Sequence, residues 1–309
     1  MKHILSIDLR VLLLAVMYTV LVTVVSGLVV PPEAVSIFTP EQTSAMLVML
    51  PAVGVVMAGM LAYLALRSRW HGWRLAGVLF AIYFVLEGFL SWVEVLAFPA
   101  VGDRMPPGML NSILVQAFIV GIPFSLLMVW VLGKMHPDPD DARLPHRFAM
   151  RPPEWLWKLA AAAVLYVMVY FLFGYYVAWR TPGVPEFYGG TDPGTFFGQL
   201  GNVMRDTPWL FPFQFGRGLI WAGIGCMIIA MHKGRAWEAA LATGLTLSLV
   251  TSAGMLLPNP FFTPVVKQAH TIELLSSNLL YGILLCLLMT WKAGSRAVSP
   301  DRRPVVFDQ

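Results

Sequence analysis

Ionisable side chains inside long apolar stretches are the first candidates for chemistry in this chain. Each costs roughly 2.5–3.5 kcal/mol inside a membrane helix, so such a residue is a functional hypothesis by default. Carboxylate, guanidinium and imidazole groups can bind an ion or a small solute, or carry a proton. Five such residues stand out: Glu87, Glu94, Arg217, His270 and Glu273.

Helical spacing adds neutral polar residues to these charges. Residues three, four and seven apart share one face of a helix. Two polar stripes result, one on each of two predicted helices, and with Arg217 they form the candidate ligand-binding set. The first stripe contains Glu87, Ser91 and Glu94, and the second contains His270, Glu273, Ser277 and Tyr281, with Asn278 beside it.

The elements that must position these residues follow from composition. The chain is 58% hydrophobic and only 12% charged, and its mean hydropathy is +0.70. A soluble protein could not cover so much apolar surface with so few charges, which indicates a lipid bilayer as the solvent. The pI near 9.1 comes without a basic block interleaved with aromatics, so we expect no nucleic-acid partner.

Eight stretches are long enough to cross a membrane, since a spanning helix needs about 20 mostly apolar residues. The predicted fold class is therefore all-α, a polytopic integral membrane protein with about eight transmembrane helices. We number them spans 1 to 8, and the sequence places them at Val11–Val30, Ala45–Leu66, Trp73–Phe98, Leu110–Gly133, Trp155–Trp179, Phe213–Met231, Trp237–Leu257 and Gln268–Trp291.

The distribution of positive charge predicts the orientation. Most of the 21 Lys and Arg residues lie at the N-terminus, in the loops after spans 2, 4 and 6, or in the C-terminal tail. Cationic residues accumulate in cytoplasmic loops. We therefore expect a cell (inner) membrane protein with both termini cytoplasmic.

Matching residues in the two halves predict an internal repeat. At one constant offset Gly54 and Trp73 recur as Gly218 and Trp237, and at a similar offset Gly121 recurs as Gly282. Four helices per copy place both copies in the same orientation, as in transporters with parallel repeats. The predicted organisation is a first four-helix repeat at 1–134, a cytoplasmic linker at 135–153, a second repeat at 154–292 and a cytoplasmic tail at 293–309.

The long outer loop between spans 5 and 6, Arg180–Pro212, is rich in aromatic residues. Loops of this length are usually functional or disordered, and the aromatics favour an ordered lid. Counting along the helices places Glu94, Arg217 and Glu273 in one layer below the outer surface, with Glu87 deeper. We expect these four to meet in an outward-facing cavity, with Arg217 touching at least one carboxylate.

A metal or haem site is an alternative interpretation of the same residues. His270 and Glu273 are three apart, and imidazole with carboxylate suits iron, manganese or zinc. Two tandem four-helix halves resemble the heme A synthase family, in which each half holds haem between paired histidines. The Phe213–Arg217 segment resembles a helix start that contains His-Arg in that family, but here Gly216 replaces the histidine. The resemblance implies a shared layout and leaves the cofactor unassigned.

Three functions stay open at this point. The leading hypothesis is a transporter-like protein, or one that binds a small ligand or ion, with a polar site between spans 3, 6 and 8. Its partners would be a small solute, an ion or a proton. The alternatives are a membrane-embedded enzyme or redox protein, and a non-catalytic subunit or assembly factor of a membrane complex or homo-oligomer. No G-x-S-x-G, Walker or H-E-x-x-H sequence occurs, so the sequence leans against an enzyme.

Overall fold

Eight apolar helices form the body of the protein in the computed structural model, which describes residues 6–138, 148 and 150–291. Most of the predicted linker and the whole predicted tail lie outside the described residues. Each helix is long and apolar enough to cross a bilayer. Spans 1 to 8 run over Ile7–Val29, Pro40–Leu66, Gly72–Ala97, Met109–Val131, Pro152–Trp179, Leu210–Met231, Ala236–Leu256 and Pro264–Thr290.

Spans 2 and 8 begin earlier than hydropathy predicts because capping threonines start their first turns, and span 6 begins three residues early, at Leu210. The Thr39 side chain accepts a hydrogen bond from the Gln42 backbone N–H, and the Gln42 side chain accepts one from the Thr39 N–H. Thr263 caps span 8 in a similar way, at 3.3 Å from the Val266 nitrogen. Such caps satisfy the free N–H groups of a helix start. Span 8 therefore begins at Pro264, not Gln268.

Two spans carry a π-helical turn, at Phe84–Phe89 in span 3 and at Gly174–Trp179 in span 5. A π turn inserts one extra residue into a helix and is frequent at functional sites. The first contains Glu87. At the second, a Cβ atom added to Gly174 would lie 3.5 Å from Glu273 Oε1. Both irregular turns are therefore next to candidate acids.

The helices pack in the same pairs within each group of four. Span 1 contacts spans 2 and 4, and span 3 contacts span 4. Likewise span 5 contacts spans 6 and 8, and span 7 contacts span 8. The two groups meet where span 2 lies against span 7 and span 3 lies against spans 6 and 7.

Glycines allow the closest of these helix crossings. A Cβ atom on Gly54 of span 2 would lie 2.8 Å from the Ala15 carbonyl oxygen of span 1. One on Gly218 of span 6 would lie 2.9 Å from the Ala163 Cα of span 5. Small residues let helix backbones approach in lipid, where packing has to replace the hydrophobic effect.

A short backbone bridge joins the loops after spans 2 and 6. Ser68 and His232 pair in antiparallel fashion. The Arg69 N–H donates to the Met231 carbonyl at 2.8 Å, and the Lys233 N–H donates to the Arg67 carbonyl at 2.8 Å. These loops therefore lie on one side of the molecule and tie its two halves together.

The long outer loop is more ordered than a bare lid and divides into two parts. A short helix, Val184–Phe187, is inserted among the outer ends of the spans, with Val184 fully buried and Phe187 against Phe262. A longer helix, Phe196–Asp206, instead lies at the surface. The prediction that the whole loop packs inward is therefore met by its first part only.

Candidate functional site

Arg217 of span 6 binds Glu94 of span 3 through two hydrogen bonds. The two guanidinium nitrogens donate to the Glu94 carboxylate at 3.1 and 2.9 Å, and one of them also donates to Gln214 Oε1 at 3.0 Å. The Arg217 side chain is 5% exposed and that of Glu94 is 38% exposed. The expected contact of Arg217 with a carboxylate is thus present, and it connects the two halves.

A second hydrogen-bonded group contains His270 and Glu273 of span 8 and Tyr188 of the outer loop. His270 Nδ1 lies 2.8 Å from Glu273 Oε2, and His270 Nε2 lies 2.8 Å from the Tyr188 hydroxyl. Burial, reinforced by Glu94 and Glu273, raises the pKa of the Tyr188 phenol. The neutral phenol can donate to Nε2, which leaves the Nδ1 proton to be donated to Glu273.

Span 5 brings these two groups to one region. Its buried Tyr166 and its partly buried Tyr170 each lie within electrostatic range of Arg217, Glu94 and Glu273. His270 is in turn within range of Glu94. The site is therefore formed by spans 3, 5, 6 and 8, one more than the three that the sequence predicts.

Glu87 stands apart from this region. Its electrostatic neighbours are Tyr18 of span 1 and Tyr83 of span 3. A Cβ on Gly254, at the outer end of span 7, would lie 3.7 Å from its Oε1. The expectation that Glu87 joins the other three is not met, because the seven residues between Glu87 and Glu94 correspond to about 10 Å along a helix. Among the described residues no cation pairs with Glu87.

The predicted common depth also changes. Since spans 6 and 8 begin at Leu210 and Pro264, Arg217 and Glu273 lie about 10 and 14 Å from those helix starts. Glu94 lies only three residues from the end of span 3 at Ala97. Long side chains, above all the arginine, bridge this difference.

The neutral members of the predicted set lie on spans 3 and 8. Ser91 is half-buried on span 3, whereas Ser277 and Asn278 are buried on span 8. Asn278 Nδ2 is a buried donor without a hydrogen-bond partner among the described residues, as are Gln214 Nε2 and Arg217 Nε. Spare donors of this kind are costly to bury and could be satisfied by an acceptor group of a ligand or by water.

Sequence reasoning missed Gln214, Tyr166 and Tyr170 and left Tyr188 among the lid aromatics. A signal existed for Gln214, which lies three residues before Arg217 and so on the same helix face. For the tyrosines no local pattern was available, because aromatic residues are common in membrane helices and only tertiary packing brings them to the acids.

The structure adds no further metal ligands to His270 and Glu273 among the described residues. Within residues 6–138, 148 and 150–291, no three His, Cys, Asp or Glu side chains are grouped so that they could hold a metal ion. Both ring nitrogens of His270 already have partners. Two surface grooves lie elsewhere, one between spans 1 and 2 beside Pro51 and one between spans 5 and 8 beside Gln268.

The fold is that of an α-helical protein whose eight apolar helices fit a multi-pass membrane protein. Comparison with models of protein families, with curated proteins and with solved structures finds no match. The comparisons therefore give no support to the resemblance to heme A synthases, and the site itself carries the argument for function.

Proposed function

We propose that this chain is a transporter-like membrane protein that binds a proton or a small cation at its outer side, beneath Tyr188. The observation that carries the proposal is the charge balance of the site. Arg217 offsets Glu94, whereas the ion-pair partner of Glu273 among the described residues is His270, an imidazole that can be neutral or protonated. With His270 neutral and both acids ionised, Arg217, Glu94 and Glu273 contribute one positive and two negative charges, and Arg104, 4.2 Å from the ring of Phe187, is a further cation in the loop after span 3.

A buried excess charge must be balanced, because an isolated carboxylate is strongly disfavoured in an apolar medium. A proton on His270 would balance it, and so would a small cation beside Glu273. The two are mutually exclusive ways of neutralising the same carboxylate. Competition between proton and cation at one carboxylate is the simplest means of coupling them.

The Arg217–Glu94 pair would link this site to motion between the halves. It connects span 6 with span 3, one of the places where the groups of four helices meet. Any rocking of one half against the other would stretch or shift these two hydrogen bonds. We propose that the pair holds the outward end closed until the charge at Glu273 changes.

Several contacts support the proposed tandem repeat. Ser68 and His232 occupy matching positions and pair with each other, so their hydrogen bonds are exchanged by a two-fold rotation. Each side chain also accepts a hydrogen bond from the backbone N–H two residues later, at 2.9 Å for Ser68 and 3.0 Å for His232. Parallel repeats with a site at their interface are typical of secondary transporters.

We propose in addition that the Ser68–His232 side faces the cytoplasm of a cell that keeps this chain in its inner membrane. Arg67, Arg69 and Lys233 lie in the paired loops, and basic loops favour the cytoplasmic side. The site below Tyr188 is at the other end of the helices and would open outward.

Thermal unfolding of the purified protein in detergent tests the binding proposal. Sodium, potassium and methylammonium chlorides are compared at pH 8 and pH 6, with choline chloride as the ionic-strength control. A bound cation whose free concentration is one hundred times its Kd stabilises the fold by about 2.7 kcal/mol. We expect one of them to raise the midpoint at pH 8 and to lose most of this effect at pH 6.

Glu273→Gln should abolish the cation effect, whereas Glu33→Gln, an exposed carboxylate in the first outer loop, should keep it. No cation effect in the wild type together with an unchanged pH dependence in Glu273→Gln would contradict the proposal. Proton flux in proteoliposomes, followed with an enclosed pH-sensitive dye, then distinguishes transport from binding alone.

A membrane-embedded enzyme is the second candidate, and the series Tyr188, His270 and Glu273 is the observation that favours it. A carboxylate that orients an imidazole, which in turn contacts a hydroxyl, is the arrangement of an activated nucleophile or general base. Metal analysis and the absorption spectrum of the purified protein address the metal- or haem-dependent form of this candidate. A stoichiometric metal or a haem absorption band would favour it over the transporter.

A further inference from the structure

The helix Phe196–Asp206 has an unusual distribution of side chains around its axis. Thr195 caps its start by accepting a hydrogen bond from the Gly198 N–H at 3.0 Å. At 100° per residue, Phe196, Leu200 and Val203 share one side of this helix. Phe197 and Met204, seven residues apart, share the adjacent side, and Asn202, Arg205 and Asp206 lie away from both.

The first side packs against the protein. Val203 is buried, and the Phe196 ring stacks on Tyr176 at 5.9 Å, with an interplanar angle of 15°. The adjacent apolar side is largely uncovered by the described residues, since Phe197 is 80% exposed and Met204 is 62% exposed. The polar side carries Arg205 and Asp206, both well exposed.

The position of this helix relative to the spans is fixed at both ends. Tyr176 belongs to the outer end of span 5. At the other end, Asp206 is four residues before the start of span 6 at Leu210, a stretch that reaches at most about 14 Å. The half-exposed Trp209 lies in this connection. The helix must therefore lie at the height where spans 5 and 6 leave the apolar layer.

We propose that Phe196–Asp206 is an interfacial helix whose Phe197 and Met204 side is embedded in the outer leaflet of the surrounding bilayer. At this height three environments meet, namely protein, lipid and water, and the helix has one side suited to each. Amphipathic helices bury an apolar face about 5–10 Å into the headgroup boundary. Trp209 is suited to the same layer, because its ring is apolar and its N–H is polar.

This inference rests on the assignment of the eight spans to a membrane and does not depend on the ligand site. Site-directed spin labelling of the full chain in liposomes of phosphatidylcholine and phosphatidylglycerol tests it. Labels are placed by Phe197→Cys and Met204→Cys, with Arg205→Cys as the matched control on the polar side. The unsubstituted chain serves as the labelling blank, since Cys226 and Cys286 are buried.

Collision of each label with oxygen, which prefers lipid, is compared with collision with a water-soluble nickel chelate. We expect positions 197 and 204 to favour oxygen and position 205 to favour nickel. A nickel preference at positions 197 and 204 would overturn the proposal in favour of a water-exposed lid. Protection of both from either reagent would overturn it in favour of a covering protein surface, such as a second copy of this chain.

Val48→Cys distinguishes failure of this inference from failure of the membrane assignment. Val48 is exposed on span 2, about 12 Å from the start of that helix at Pro40. A lipid signature at position 48 with an aqueous one at position 197 rejects the interfacial helix alone. An aqueous signature at both positions rejects membrane insertion itself.

Discussion

Arg217 is the residue whose removal should affect stability most within the site. Its guanidinium is nearly fully buried and binds both Glu94 and Gln214. Arg217→Ala leaves the Glu94 carboxylate without its partner, although partial exposure lets water compensate in part. We expect a loss of about 1–3 kcal/mol, seen as a lower thermal midpoint in detergent.

The double variant Arg217→Ala with Glu94→Ala is the control for this effect. Arg217→Ala should cost less stability in the Glu94→Ala background than in the wild type. The difference between the two costs is the coupling energy of the pair. An unchanged midpoint in Arg217→Ala would show that the two-hydrogen-bond contact does not contribute to the fold.

Tyr188 connects the outer loop to the charged residues through a single hydroxyl group. Tyr188→Phe keeps the ring, which stacks on Trp179 at 6.2 Å, and removes the hydrogen bond to His270. A loss of about 0.5–1.5 kcal/mol is expected. It should appear locally, as faster amide hydrogen exchange around Val184–Phe187. Tyr176→Phe, an exposed tyrosine of span 5, is the control and should leave this exchange unchanged.

Glu87 should behave differently from Glu94 because it has no cation partner among the described residues. A carboxylate in apolar surroundings is cheaper to bury when neutral, and Gln closely matches the shape of the neutral acid. Glu87→Gln is therefore expected to change the free energy of unfolding by less than about 1 kcal/mol. A large drop in stability would indicate that Glu87 is ionised and paired.

At the scale of the helices, small residues determine how closely the spans approach. A Cβ on Gly282 of span 8 would lie 2.6 Å from the Cα of Gly244 on span 7. The obstacle is backbone, which cannot rotate away, so Gly282→Ala should separate the two helices and cost about 1–3 kcal/mol. Gly223→Ala is the matched control, because nothing lies within 4 Å of its added Cβ. Equal thermal midpoints for the two variants would contradict this packing.

The same scale shows what the sequence could predict. All eight spans follow from hydropathy, since an apolar run of that length has few other solutions. Hydropathy predicts the starts of spans 2 and 8 several residues too late. Hydropathy averaged over a window of residues excludes polar capping residues such as Thr39 and Thr263. The Phe196–Asp206 helix lies in the stretch that the sequence analysis describes as a loop. Its spacing of apolar residues and the Thr195 cap are signals of a helix in the sequence. The grouping of Glu94 with Arg217 followed from charge, whereas the tyrosines of span 5 required the packed structure.

The whole molecule provides a test of the proposed repeat and of its orientation. If the halves are related by a rotation of about 180° around the membrane normal, matching residues near that axis must lie close together. Ser68 and His232 satisfy this condition through their backbone bridge, and directly opposed residues of this kind have Cβ atoms about 4.5–5.5 Å apart. That separation is close to the range of a disulfide, so Ser68→Cys with His232→Cys should form one within a single chain when membranes are oxidised.

Arg235→Cys, exposed in the loop after span 6, should react with membrane-permeant maleimides and resist impermeant ones in intact cells, whereas Thr191→Cys in the outer loop should react with both. Ser68→Cys combined with Ser36→Cys, which lies in the first outer loop, is the control pair and should not cross-link within one chain. A cross-link between positions 68 and 232 that appears only between separate chains would contradict the bridge. Labelling of position 235 by the impermeant reagent would reverse the orientation and place the site beneath Tyr188 on the cytoplasmic side.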